Sequence, residues 1–167
     1  MVRIGLLSDT HGFLDPKILE YFKDCDEIWH AGDIGSVELS DQLSSFRKMR
    51  GVFGNIDGQD IRIIHPAEQK FTVAGLKVYM IHIGGFPGNY SPGIISKIKN
   101  EKPGLFICGH SHILKVISDK TNNLLHMNPG AAGKHGFHIK RTILRFEIDS
   151  GKIQKLEAIE LGLRSAL

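Results

Sequence analysis

The first half of the chain alternates between short apolar runs and amphipathic stretches. Val2–Leu7 is apolar apart from one Arg, which is typical of a strand buried in a parallel sheet. Shorter runs at 27–30 and 49–53 predict a second and a third strand. An amphipathic stretch opens at Asp15-Pro16, and residues 36–46 predict a helix whose first residue, a serine, is the cap. Strands that alternate with helices in this way predict a sheet covered by helices.

The second half consists mostly of strands. Turn signals at Ala74-Gly75, Thr121-Asn122 and Asp149-Ser150-Gly151 predict three hairpins. One helix is predicted over 91–100, where Pro92 suits the first turn. The predicted strands of this half span 61–64, 70–73, 76–83, 105–108, 114–118, 123–127, 142–148 and 152–159. Together the halves predict one α/β domain over residues 1–167, a sandwich of two facing, mostly mixed β-sheets flanked by helices.

Composition and charge exclude several classes of protein. No apolar run approaches the roughly 18 residues of a membrane span, and the amino-terminal run is too short for a secretion signal. Two cysteines, Cys25 and Cys108, are too few for a disulfide framework, so we expect a reducing cytoplasm. A net charge of +3 is too weak to indicate nucleic acid as a partner. The unusual count is nine histidines, which directs attention to metal chemistry.

Side chains that bind metals follow five of the predicted strands. They are Asp9 and His11 after the first strand, Asp33 after the second, Asn55 after the third, His82 in the 76–83 strand, and His110 and His112 after the 105–108 strand. In open α/β sheets, ligands bind outside the carboxyl ends of the strands. We therefore expect these side chains to converge on one rim of the sandwich.

The donor types indicate which metals this rim would hold. Carboxylate, amide and imidazole donors without cysteine suit Mn, Fe, Zn, Co or Ni better than Ca or Mg alone. The set of seven exceeds the roughly four ligands of one tetrahedral zinc, and it fits two metals that share a carboxylate. Two metals about 3.5–4 Å apart clamp the oxygens of a phosphoryl displacement and generate a hydroxide at neutral pH. Gly32, Gly54 and Gly109 are expected to let the backbone turn sharply and approach the metals.

The ordered set of motifs resembles the calcineurin-like metallophosphoesterase superfamily. Its pattern is D-x-H, G-D, G-N, a lone His and G-H-x-H. The chain matches it with Asp9-Thr10-His11, Gly32-Asp33, Gly54-Asn55, His82 and Gly109-His110-Ser111-His112, and Asn128-Pro129-Gly130 resembles a later family element. Total length and the Gly54-Asn55-Ile56-Asp57 form are similar to the small prokaryotic phosphodiesterase branch.

This resemblance implies a role for each motif residue. The first metal would be bound by Asp9, His11 and His112, the second by Asn55, His82 and His110, and Asp33 would bridge both. The resemblance also implies that Asp33, Asn55 and His82 take part in catalysis. The expected cofactors are two divalent transition-metal ions, manganese in the first place, with zinc, nickel, cobalt or iron as alternatives.

One position departs from the pattern of many superfamily members, which carry a histidine directly after the G-N pair. This chain has Ile56 at that position. The small branch that the chain resembles also tends to lack the histidine. The general acid is therefore open, with water, His135 and His138 as candidates. These two histidines and Lys134 belong to a basic stretch that is either a solvated loop or a contact for an anionic substrate. Asp57 is either a turn residue or one that orients a metal ligand.

Three further histidines, His30, His65 and His126, are interpreted as structural. For His30, which directly precedes the G-D motif region, the alternative is a hydrogen bond that orients a metal ligand.

The motifs predict a metal-dependent phosphoesterase, more specifically a phosphodiesterase, acting on a small phosphate-ester substrate. The alternative is a non-enzymatic protein-interaction scaffold related to the retromer subunit of the same superfamily, whose site is degraded. The two hypotheses differ in ligand completeness, and all seven positions are filled here. No membrane partner is expected, and a homo-oligomer through exposed hairpin edges is left open.

Overall fold

The computed structural model describes residues 1–165, which form twelve strands and four helices. The strands are β1 (Val2–Leu7), β2 (Glu27–His30), β3 (Lys48–Gly51), β4 (Glu68–Val73), β5 (Leu76–Ile81), β6 (Gly85–Phe86), β7 (Asn89–Tyr90), β8 (Leu105–Ile107), β9 (Leu114–Asp119), β10 (Leu124–Pro129), β11 (Lys140–Asp149) and β12 (Lys152–Leu163). The helices are α1 (Pro16–Tyr21), α2 (Val37–Phe46), α3 (Gln59–Ile64) and α4 (Ile94–Glu101).

Ten of the strands form two five-stranded mixed sheets. The first has the order β12-β11-β1-β2-β3, with β1, β2 and β3 parallel and β11 antiparallel to β1. The second has the order β4-β5-β8-β10-β9, with β5, β8 and β10 parallel between antiparallel edges. The short strands β6 and β7 pair with each other alone. The predicted pair of mostly mixed sheets is confirmed.

The main core lies between the two sheets. Ile4, Leu6 and Trp29 from the first sheet belong to one buried cluster with Met80 and Ile107 from the second. Successive residues of a strand point to opposite faces, so β1 presents Leu7 to the other side of its sheet. Burial on both faces explains why β1 is almost continuously apolar.

Helices cover the outer faces. Ile18 of α1 and Leu43 of α2 pack in a second cluster with Leu7 on the first sheet. Ile94 and Ile98 of α4 pack against the second sheet. Within residues 1–165, no helix combines the length and the apolar character needed to cross a membrane.

Residues 61–64 form a helix, so the strand predicted there is wrong. α3 starts after Gly58, and its last residue is followed by His65-Pro66. Ile61 is fully buried, whereas Ile63 and Ile64 are 75% and 48% exposed. The β-branched run favoured a strand. Only one side chain per turn is buried in the core, however, and this is the burial period of a surface helix.

Other differences concern boundaries. β3 ends at Gly51, two residues before the predicted end, and the chain turns earlier toward Asn55. The helix predicted over 91–100 begins at Ile94, after Gly93 with φ of 82°. The short hairpin of β6 and β7 was not predicted, because two-residue strands carry too little pattern to detect.

Candidate metal centre

The seven predicted ligands lie in loops at one edge of the sandwich, and most of them have a strained backbone conformation. Five of the seven have positive φ, between 48° and 68°, and they are Asp9, His11, Asp33, His110 and His112. Such left-handed backbone costs on the order of 1–3 kcal/mol for a residue other than glycine, and it persists where the surroundings enforce it. These turns reverse the chain directly after each strand and direct the side chains into the rim.

One group of side chains lies at the ends of β1, β2 and β8. Asp9, His11, Asp33 and His112 each offer one ligand atom, and these atoms lie within 4.8 Å of one another. His112 Nε2 is 3.1 Å from Asp9 Oδ1, and His11 Nε2 is 3.5 Å from Asp33 Oδ2. This group has the donors and the compactness of a metal site.

A second group adjoins the first and shares Asp33 with it. The ligand atoms of Asp33, His82 and His110 also lie within 4.8 Å of one another. His82 Nε2 is 3.3 Å from Asp33 Oδ2. Asn55 Oδ1 completes the group, at 3.1 Å from His82 Nε2 and 3.0 Å from His110 Nδ1. The structure thus brings all seven predicted residues together.

The polar atoms of these groups fit a metal. Asp9 Oδ1 and His11 Nε2 are buried without any hydrogen-bond partner, although buried polar atoms are nearly always paired. The other oxygen, Asp9 Oδ2, accepts hydrogen bonds from Ser8 Oγ and the His110 backbone N–H. His82 Nδ1 donates to the Ala31 carbonyl at 2.7 Å, which leaves the Nε2 lone pair directed at Asp33. A metal-ligating histidine typically has this arrangement.

The carboxylates dominate the electrostatics of the site. Burial favours the neutral form of Asp33, but the His82 imidazole and the Ile56 backbone N–H outweigh it and lower the pKa of Asp33. Burial disfavours a charged His82, yet Asp33 and Asp9 raise its pKa above the usual value. For His11 burial prevails over the same carboxylates and lowers the pKa. The lowered pKa of Asp33 keeps a negative charge at the centre of the site, where it attracts positive charge.

Asp57 ties two of the ligand loops together. Its Oδ2 accepts hydrogen bonds from the backbone N–H groups of Gly54 at 2.8 Å and Ile34 at 3.1 Å. Its Oδ1 accepts from the N–H of Gly35 at 2.8 Å. Of the two interpretations of Asp57, the structure supports the one in which it orients metal ligands, because it locks the Asp33 loop to the Asn55 loop.

His30 supports the site from below. Gly32 N–H donates to His30 Nδ1 at 3.2 Å, so Nε2 carries the hydrogen and donates to Thr10 Oγ1 at 2.9 Å. Burial holds the pKa of His30 down to about 3, so the ring stays neutral. Over residues 1–165 no hydrogen bond joins His30 to a predicted ligand side chain; its bonds join the Asp33 loop to Thr10, which lies between Asp9 and His11.

The sequence analysis did not identify how Asn128 supports the site. Its Nδ2 donates to the Gly109 carbonyl at 2.9 Å and to Ser111 Oγ at 3.1 Å. These bonds shape the turn that directs His110 and His112 to neighbouring groups, although alternation along a strand would separate them. The family-like Asn128-Pro129-Gly130 element was the available signal, but it gave no contact.

All three motif glycines are required by close approach. At Gly32, whose φ is 101°, a Cβ would lie 2.5 Å from His82 Nδ1. A Cβ at Gly54 would lie 2.0 Å from Asp33 Oδ1, and one at Gly109 would lie 2.1 Å from Ser8 Oγ and 2.8 Å from Asp9 Oδ2. Any side chain at either position would displace the carboxylates, so the expectation of close backbone approach is confirmed.

An open cleft of about 500 Å³ lies over the two groups. His135 lies on this cleft, with its ring centroid 4.7 Å from that of His11. His138 packs against His112 at 5.1 Å, and its Nε2 donates to the Gly133 carbonyl. Ile56 is also part of the lining and is 46% exposed. The stretch around His135 is thus a wall of the site rather than a remote loop.

A family model of the calcineurin-like phosphoesterase superfamily domain matches residues 2–151. The chain therefore belongs to this superfamily, and the resemblance drawn from the motifs is confirmed. A probable metallophosphoesterase of Methanocaldococcus jannaschii is 27% identical over 164 residues, covering 94% of this chain and 81% of the relative. The chain is accordingly a metal-dependent phosphoesterase, and the family implies divalent metal ions.

Solved structures show the same fold. A novel archaeal phosphodiesterase is 21% identical with a TM-score of 0.71, covering 95% of this chain and 99% of that one. Vps29 from Chaetomium thermophilum is 15% identical with a TM-score of 0.75, covering 98% of this chain and 100% of that one. At these identities the likeness concerns the fold alone.

Proposed function

We propose that the chain is a phosphodiesterase that works with two divalent metal ions. The observation that carries this proposal is that Asp33 belongs to both ligand groups, as a carboxylate between two adjacent ions must. Asp9, His11 and His112 would hold one ion, and Asn55, His82 and His110 the other. We propose manganese in the first place, with zinc, nickel, cobalt or iron as alternatives, since nitrogen and oxygen donors without sulfur can bind each of these metals.

The residues of the chain prepare the site for this chemistry. When bound, the ions would neutralise the phosphoryl oxygens and lower the pKa of a water molecule. Asp33 and Asp9 supply the negative charge that retains the ions, and the Ala31 carbonyl fixes the tautomer of His82. The Asp57 hydrogen bonds hold the two halves of the site in register.

The cleft favours a diester with a good leaving group. The side chain of Ile56 has no proton to donate to a leaving group, and the backbone N–H of this residue already donates to Asp33. His138 Nε2 donates to the Gly133 carbonyl but its Nδ1 has no hydrogen-bond partner among the described residues, so water, His135 and His138 are the candidate acids. Within the described residues, the cleft is lined by neither Lys nor Arg, so the single charge of a diester suits it better than the two charges of a monoester. We expect the rate to depend steeply on leaving-group pKa, because a general acid contributes on the order of 10²–10⁴-fold for poor leaving groups.

The scaffold alternative has less support. Vps29 shares the fold, but a shared fold does not decide function. All seven ligand positions are filled and converge, which a purely structural role does not require. Cys25 and Cys108 are both unpaired and buried, which agrees with a reducing cytoplasm as the proposed compartment.

The decisive experiment measures turnover of bis(p-nitrophenyl) phosphate by protein stripped with a chelator and then reloaded with single metals. We expect no activity without metal, recovery with manganese, and about two ions bound per chain by elemental analysis. Full activity in excess chelator would refute the proposal. Binding of a single ion with full activity would refute its binuclear part.

Asp33→Asn tests the bridging role. Removing the charge between two cations is expected to lower kcat by at least about 100-fold, by comparison with the loss of a single electrostatic stabiliser. The matched control is Asp41→Asn, which changes an exposed carboxylate on α2. Near wild-type turnover of Asp33→Asn, with the control unaffected, would show that Asp33 does not bridge.

A further inference from the structure

Exposed apolar side chains surround the opening of the candidate metal centre. Phe137 is 101% exposed, Ile113 56% and Ile56 46%, and all three line the cleft that contains Asp33 and Asn55. We call these three residues the apolar rim. Each is adjacent in sequence to a residue of the site wall, since Ile56 follows Asn55, Ile113 follows His112 and Phe137 precedes His138.

The rim continues away from the ligands. Ile113 and Phe137 also line a neighbouring groove of about 500 Å³, together with Ile139, which is 76% exposed. Large apolar side chains that cluster in the open mark binding surfaces. The rim lines the same cleft as the ligand groups, so a substituent of a phosphate ester bound there would meet it.

We propose that the apolar rim binds an apolar substituent of the phosphate ester, so that the enzyme selects esters of bulky alkyl or aryl alcohols. This inference rests on the proposed function, because it assigns the substrate class of the same site. The lack of Lys and Arg in the cleft lining over residues 1–165 agrees with it. A substrate with further phosphates would leave those charges facing isoleucine and phenylalanine, at a cost in desolvation.

The test uses methyl(n-alkyl)phosphinates with an n-alkyl chain of increasing length, from methyl to hexyl, because they carry the single charge of a diester and are not hydrolysed. Their Kd is measured by calorimetry on the manganese-loaded protein. A fully buried methylene contributes about 0.8 kcal/mol, so partial burial predicts roughly a twofold tighter Kd for each added carbon. The heat-capacity change of binding should also become more negative with length.

Variants locate the effect. Phe137→Ala and Ile113→Ala should flatten the dependence of Kd on chain length. Ile63→Ala, which removes an isoleucine 75% exposed on α3 and outside the cleft, is the matched control and should keep the dependence.

The outcomes separate the two proposals. Equal Kd values for methyl and hexyl probes, with binding still metal-dependent, would overturn the apolar subsite and leave the phosphodiesterase standing. No binding of any probe, together with no turnover of an aryl diester, would overturn the proposed function and this inference with it. Self-association that disappears in Phe137→Ala, without any length dependence, would assign the rim to a second copy of the chain instead.

Discussion

Two of the buried histidines, His82 and His126, have opposite surroundings. His82 is 3% exposed at the rim, where Nε2 faces Asp33 and Nδ1 donates to a backbone carbonyl. His126 is fully buried in β10, where its neighbours are the rings of Phe106 and Tyr90 and neither nitrogen has a hydrogen-bond partner. Carboxylates raise the pKa of His82 against its burial, whereas burial lowers the pKa of His126 to about 4.

The comparison shows that burial alone does not identify a functional histidine. Both residues follow apolar positions on strands, and either one in isolation resembles a core residue. What distinguishes His82 is the charge that converges on it from other strands. On His126 the charges of Lys115 and Asp119 act in opposite directions and burial prevails, while its ring packs against aromatic side chains.

The largest expected effect is the loss of activity in His82→Ala. Removing this ligand should lower kcat by at least about 100-fold and weaken metal binding, as its Nε2 is one of the atoms nearest Asp33. Turnover of an aryl phosphodiester and metal content are measured together. His126→Leu, which also removes a buried imidazole, is the control and should keep activity within about twofold. Equal losses in both variants would indicate that only packing is being disturbed.

A smaller effect is expected from Asp57→Asn. The variant keeps the shape but replaces one carboxylate oxygen with a donor. Depending on which oxygen is replaced, either Gly35 N–H or both Gly54 N–H and Ile34 N–H lose their acceptor. Supporting residues of metal sites typically contribute 10–100-fold, so we expect a loss in that range with weakened metal affinity. Restoring part of the activity with excess manganese would agree with a positioning role. Unchanged kinetics would show that Asp57 is only a turn residue.

The sequence predicted the candidate ligands of the metal centre, His82 among them, because the motifs place them at strand ends. The topology of the sheets alone brings those ends together. For the groups that hold those ligands it was less informative, since it left Asp57 and His30 between two interpretations and did not predict the contacts of Asn128. These three residues bond to groups up to 23 residues away along the chain, and pattern carries no information on such pairs. The strained φ at Asp9 and Asp33 was hidden for the same reason, since only the folded surroundings enforce it.

The fold was predictable where burial determines the pattern of apolar residues along the chain. It was not predictable where local strand propensity disagrees with the tertiary structure. β1 and β2 have the predicted limits, and in β1 burial on both faces leaves a nearly unbroken apolar run. Residues 61–64 were misassigned because three isoleucines favour a strand by propensity, while the tertiary structure buries only Ile61. The second sheet was recovered because its hairpin turns are explicit in sequence.

The smallest effect separates the two histidines by pH instead of activity. The imidazole of His126 stays neutral in the folded protein until the pH falls to about 4, owing to burial and then to Lys115, against the opposing charge of Asp119. The unfolded chain protonates the same ring below about pH 6.5. Between these values the unfolded state binds more protons, so the free energy of unfolding falls as the pH is lowered. From pH 7 to pH 5 this histidine should lower the free energy of unfolding by about 2 kcal/mol.

His126→Leu should remove that part of the pH dependence in urea unfolding. It should also stabilise the protein by about 1 kcal/mol at pH 7, because two unpaired nitrogens disappear from the core. The remaining slope comes from the other groups with shifted pKa values, among them His11, His30, His65 and His138, whose pKa values burial also lowers and which both proteins retain. Parallel pH profiles for wild type and variant would mean that His126 is solvated or paired in solution, and the contrast with His82 would then lose its electrostatic basis.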